Sequence, residues 1–66
     1  MKFKDRLKEL RASRNLSQMQ LANELNISQS AIAKWELGKT EPTASAIISL
    51  ANYFNETTDY ILGIEE

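Results

Sequence analysis

The sequence predicts an all-α fold, a compact bundle of five short helices. Three observations carry that prediction. Apolar residues recur at helical spacing rather than alternating. Ser or Thr stands just before most of the periodic stretches, where a helix cap belongs. Strand signals are weak, with no alternating run and no Asn-Gly turn. Both glycines and the single proline fall after residue 37, so the first half has no strong helix breaker.

Phe3, Leu7 and Leu10 sit at i, i+4 and i+7 with Lys and Arg between them, which places a first helix over about residues 2–14. Ser17 caps a second helix, and Gln20 stands three residues on, at the capping-box spacing. Leu16 and Leu21 flank that cap at the hydrophobic-staple positions. This helix runs to about Leu25. Ser28 caps a third, with Ile27 and Ile32 as its staple, and Gly38 stops it after Leu37. "KTEPT" is a loop. Thr43 caps a fourth helix with Ile47, Leu50, Ala51 and Phe54 on one face. Thr57 caps a short fifth, "TDYILG", stopped by Gly63.

The link between the second and third helices is the most informative. Only Asn26 and Ile27 separate Leu25 from Ser28. Helices joined that tightly cross steeply, as in a helix-turn-helix unit. Such a unit needs a small side chain at the crossing, and Ala22 supplies it. Its corner residue leaves the helix in a left-handed conformation. Glycine is cheapest there, and asparagine tolerates positive φ better than other side chains. Asn26 is that residue. Leu21, Leu25, Ile27, Ile32 and Trp35 point inward, leaving Gln29, Ser30, Ala33, Lys34 and Leu37 outward. Any helical domain needs some such apolar residues; the whole set, capped on both sides, is harder to obtain by accident.

Length and composition bound the function. At 66 residues the chain is read as one domain, residues 1–66. With no cysteine there are no disulfides or thiolate metal sites, and with no histidine the commonest metal ligand and general base are missing. No metal or cofactor is expected, and no small-molecule ligand is evident. An enzyme would have to work with carboxylates, Lys, Ser or Tyr in a bundle with little room for a cleft, so the chain is read as non-enzymatic. No stretch approaches the ~18–20 apolar residues of a membrane span, and the charged start "MKFKDRLKEL" is no secretory signal. The default is a reduced, cytoplasmic setting. The pI near 5.4 is far from that of a nonspecific polyanion binder, which usually exceeds ~9. The charge is uneven, however. Residues 1–16 hold six basic against two acidic side chains, whereas residues 17–66 hold two against seven. The first helix therefore carries either an ordinary solvated face or a local positive field. Glu65 and Glu66 read as a solvating tail.

"LSQMQLANELNISQSAIAKWELGKTEP", "LANYF" and "DYILG" together resemble the phage-repressor and Cro-type (XRE-like) helix-turn-helix family, over roughly residues 5–64. The resemblance implies a lambda-repressor-like DNA-binding domain whose third helix enters the major groove. It implies base contacts from Ser28, Gln29, Ser30 and Lys34, and phosphate contacts from Ser17, Gln18, Lys39 and Thr40. The chemistry fits: Gln29 can pair bidentately with adenine, Lys34 can donate to guanine, and a helix start attracts phosphate. It also implies a structural ion pair between Arg11 and Glu36. Asn26 replaces the family's commoner glycine. Leu37 stands where a polar phosphate contact often occurs, and Glu41 lies in a loop that is often basic. With few phosphate contacts a lone domain binds weakly, so a homodimer on a pseudopalindromic operator in double-stranded DNA is expected. Its surface is placed at Tyr60, Ile61 and Ile64, which exceed what a short last helix needs for inward packing. The expected function is sequence-specific regulation of transcription, by repression on the family pattern. The alternative is a protein-interaction module on the same fold, which would have no reason to keep Gln29, Ser30 and Lys34 outward beside Gln18.

Overall fold

The computed structural model describes residues 2–64, so the reading of Glu65 and Glu66 as a tail lies outside the described residues. Within them the chain forms α1 (Lys2–Ser13), α2 (Gln18–Leu25), α3 (Gln29–Leu37), α4 (Ala44–Phe54) and α5 (Thr58–Leu62), with no strand. The five helices fall where the periodicity and caps put them.

Every helix after the first starts on a Ser or Thr cap. The Ser17 hydroxyl accepts from the Gln20 N–H at 3.0 Å, while the Gln20 side chain accepts from the Ser17 N–H at 2.8 Å, completing the capping box. Ser28, Thr43 and Thr57 accept from the N–H three residues on in the same way. The exits are equally uniform. Asn15, Asn26, Gly38, Asn55 and Gly63 all have φ between 56° and 79°. The residue after each donates its N–H to the carbonyl five residues back, as Ile27 does to Ala22 at 3.0 Å, closing a Schellman turn. Asn26 and the two glycines are readable as stops in the sequence. Asn15 and Asn55 fill the same role, which their local spacing does not reveal.

At Gly63 the need for glycine is steric as well as conformational. A Cβ there would collide with Cβ of Lys2, because the end of α5 lies directly on the start of α1. At Asn26 the need is conformational alone, with φ 59° and ψ 43°. Replacing Asn26 by alanine is expected to cost about 1–2 kcal/mol, the penalty of a left-handed conformation for a residue with a Cβ, whereas glycine in the same place should be close to neutral. Chemical denaturation of the two variants checks this.

α1 packs on α3 and on α5, α2 on α3 and α4, and α4 on α5. The shared core is built from Phe3, Leu7, Leu21, Ile32, Leu50 and Ile61, all 1% exposed or less, with Ala22, Trp35, Ala51 and Phe54 around them. Phe3 and Trp35 meet edge to face, ring centres 6.2 Å apart, seating α3 on α1. Leu25 and Ile27 are only half-buried, because with Ala31 and Trp35 they line an open recess between the turn and α4.

Contrary to the expected place of Ile61 on the surface of the last helix, its side chain is 1% exposed and belongs to the core. A five-residue helix offers too little sequence for periodicity to show which face turns inward. Tyr60 is half-buried, and Ile64 is 72% exposed.

Candidate nucleic-acid interface

The steep crossing of α2 and α3 leaves one face of α3 open. Gln29, Ser30, Lys34 and Leu37 are exposed along it, and Ala33 is half-buried rather than fully outward. Ser28 opens this face; its hydroxyl caps Ala31 and lies 3.3 Å from that of Ser30. Ser17 is exposed at the start of α2, and Gln18 is half-buried beside it. Lys39 and Thr40 are exposed in the loop after α3, as is Glu41. Leu37, 64% exposed, is an apolar side chain on an otherwise polar surface.

A chain of polar contacts runs beneath this face and joins three helices. Arg11 of α1 donates to both carboxylate oxygens of Glu36, from Nε at 2.7 Å and from Nη2 at 2.9 Å. Its Nη1 donates to the Leu16 carbonyl at 2.7 Å. Glu36 also accepts from Gln18 Nε2 at 3.0 Å, and Gln18 Oε1 in turn accepts from Gln29 Nε2 at 3.3 Å. Glu36 is 5% exposed, so its charge is compensated almost wholly by protein groups. The pair is the one implied by the resemblance; Glu36 as the partner of Gln18 has no counterpart in helical spacing, since the two are 18 residues apart on different helices.

Loss of water pushes the Glu36 carboxyl up. The hydrogen bonds from Arg11 and Gln18, with the charges of Arg11 and Lys8, outweigh this and hold it below the ordinary 4.5. The hydrogen bond to Glu36 likewise raises the Arg11 guanidinium above its ordinary value, against desolvation. Because Glu36 titrates lower in the folded chain than in the unfolded one, its contribution is complete above about 4.5 and disappears as pH falls through its folded value. The Arg11 contribution, from a raised value, is present throughout the acid and neutral range and leaves this acid window untouched. Thermal melts stepped down from pH 7 should therefore show a steeper loss of stability below about pH 4.5 in the parent chain than in Glu36→Gln.

The basic residues of α1 go largely to the fold. Arg14 donates to the Tyr53 and Phe54 carbonyls at 3.2 and 3.1 Å, neutralising the carbonyl end of α4. Arg6 lies 3.8 Å over the ring of Tyr60, a cation–π contact between α1 and α5. With Arg11 committed to Glu36, three of the six N-terminal cations act as internal ties. Lys4 is different. Its side chain packs over Gly38, at the exit of α3. Nothing in the spacing of the sequence points to that position.

Among the described residues no helix is long and apolar enough to cross a membrane. The family model described as "Helix-turn-helix" matches residues 7–61. Among curated proteins, the chain is 41% identical over 66 residues to the HTH-type transcriptional activator BcrR of Enterococcus faecalis, covering all of this chain and 32% of BcrR. It is 33% identical over 66 residues to the HTH-type transcriptional regulator ImmR of Bacillus subtilis, again over the whole chain and 52% of ImmR. It is 33% identical over 63 residues to the transcriptional repressor RstR of a cryptic phage in Vibrio cholerae, over 96% of this chain and 56% of RstR. The chain thus spans from 32% to 56% of the length of these relatives. No solved structure matches it.

Proposed function

The chain belongs to the helix-turn-helix family, and on that premise we propose that it is a sequence-specific DNA-binding regulator of transcription that reads the major groove with α3. The observation that carries this reading is the exposed polar row Gln29, Ser30 and Lys34 on α3, flanked by Gln18 at the start of α2 and Lys39 after α3. Amides and hydroxyls match base edges, while lysines at the margins serve phosphates. Ser28, Gln29, Ser30 and Lys34 are assigned to bases; Ser17, Gln18, Lys39 and Thr40 to phosphates, with Lys4, which packs over Gly38, as an added cation. Repression is the output we attach to it, on the phage-repressor resemblance and the RstR relative; BcrR is named an activator, so a promoter–reporter assay decides the sign.

Two copies acting on a pseudopalindrome would present two recognition helices about one DNA turn, ~34 Å, apart. The exposed Ile64, with the edge of Tyr60, supports a two-fold contact at the C-terminal end of the described residues. Ile61 takes no part in it. Sedimentation that finds a strict monomer at high micromolar concentration without DNA would remove this contact from the proposal.

Selection of bound sequences from a random duplex pool tests the main reading, since it returns the site and its symmetry together. On the selected site, Gln29→Ala should weaken binding by about 1–3 kcal/mol and relax preference at one base pair. Lys39→Ala should weaken all sequences about equally. Equal, weak binding of selected and random duplex at every salt concentration overturns DNA reading.

A further inference from the structure

We propose that Leu37 is a further specificity-determining residue, whose side chain takes the C5-methyl group of a thymine in the major groove; this rests on the reading of α3 as the helix that enters the groove. Leu37 is 64% exposed, and a single exposed leucine is ordinary on a protein surface. Its place is not. Seven residues of α-helix complete almost two turns, so Leu37 stands within about 20° of Ser30 around the axis of α3. The opposite side of the helix holds Ile32, Trp35 and Glu36, all buried. Ser30 and Leu37 therefore mark the midline of the outward face, with Lys34 to one side and Ala33 to the other. A helix laid in the groove on that face carries Leu37 toward the base edges rather than toward the backbone on either side.

The surroundings select the occupant. Lys34 precedes Leu37 by three residues and Lys39 follows it by two, both exposed. Lys4 packs over the next residue, Gly38. An apolar tip set among these cations suits an apolar group carried on a polyanion. Leucine has no side-chain donor or acceptor, so it neither holds a phosphate nor pairs with a polar base edge. Of the groups that the four base pairs present in the major groove, only the C5-methyl of thymine is apolar. A pool of unmethylated duplex offers no other source of that group. The rise of about 1.5 Å per residue puts Leu37 about 12 Å beyond Gln29 along the axis. At about 3.4 Å per base pair, the thymine lies within about four base pairs of the pair that Gln29 reads.

The test replaces the thymines of the selected duplex by deoxyuridine, one at a time. Uracil keeps the pairing and the O4 acceptor of thymine and lacks only the methyl group. Binding constants are measured for the parent chain, Leu37→Ala and Gln29→Ala, with thermal melts to report folding. The parent should bind about fourfold more weakly when one thymine, within about four base pairs of the pair that Gln29 reads, loses its methyl. That factor is the worth of withdrawing about one methyl-sized group from water. Leu37→Ala should bind the thymine and uracil versions of that position alike, keep the parent's response at every other thymine, and melt close to the parent. If Leu37→Ala keeps the parent's loss at that thymine, another side chain meets the methyl and the inference is overturned. It is overturned equally if Leu37→Ala weakens every duplex by one factor and leaves the uracil loss in place, or if no uracil substitution changes the parent's binding. In each of these cases reading of bases by α3 stands as long as Gln29→Ala relaxes its own base pair. If Gln29→Ala relaxes nothing and selected and random duplex bind alike, the DNA reading falls and takes the inference with it.

Discussion

Arg11→Ala is expected to destabilise the domain by about 3 kcal/mol or more, the range for breaking a buried ion pair from one side. The size follows from which partner is left behind. Glu36 is the buried member, its side chain 4% exposed against 21% for Arg11. Without Arg11 the carboxylate keeps only Gln18 as a donor in the immediate site, and the Leu16 carbonyl loses its partner too. A domain of this size has on the order of 3–5 kcal/mol of stability from its core. A loss of about 3 kcal/mol therefore leaves much of the chain unfolded near room temperature, or lowers Tm by roughly 12 °C or more. Glu36→Ala should cost less, because the freed guanidinium has a route to water. The double alanine variant should recover part of the Arg11→Ala loss, since no buried charge remains unpaired. Denaturant unfolding of the three variants as a double-mutant cycle measures the coupling. Equal losses for the two single variants would contradict this asymmetry of burial.

Ile61→Ala is expected to cost about 2–5 kcal/mol, as large-to-small changes at fully buried aliphatic positions do. Ile61 is the buried residue of α5, so its truncation loosens the whole helix from α1 and α4. Gly63 shares that attachment, since it lies against Lys2 with no room for a side chain. The measurement also separates two roles for this position. A core residue lowers the unfolding free energy equally at all protein concentrations. A residue between two copies would lower it only where copies associate. Melts at low and high micromolar concentration should show the same loss. The matched substitution Ile64→Ala, at a residue 72% exposed, should leave the melting temperature of a dilute sample nearly unchanged.

Much of this architecture is legible in the amino-acid sequence, and for identifiable reasons. Caps and stops act within a few residues, so Ser17, Ser28, Thr43, Asn26 and Gly38 could each be read from local spacing. The tight link at Asn26 and Ile27 was enough to set the crossing of α2 and α3. Asn15 and Asn55 escaped because asparagine signals turns, caps and exposed helix alike, and only its backbone angle separates them. Ties between distant elements were harder. The hold of Arg14 on the end of α4 joins residues 39 and 40 apart, and the bond from Gln18 to Glu36 joins residues 18 apart. Neither leaves a periodic trace. The candidate interface was legible as a set of outward residue types on α3, but the polar chain that orders them from below was not.

The edge-to-face contact between Phe3 and Trp35 has an optical consequence. Trp35 is the only tryptophan in the chain, sits on the inner side of α3 and is 7% exposed. Its indole emission therefore comes from the helix assigned to the bases, and from the side turned away from them. A shift in its colour or quenching reports how firmly that helix is seated on α1, with no dye and no added label. The molecule carries its own gauge of the element on which its proposed reading depends.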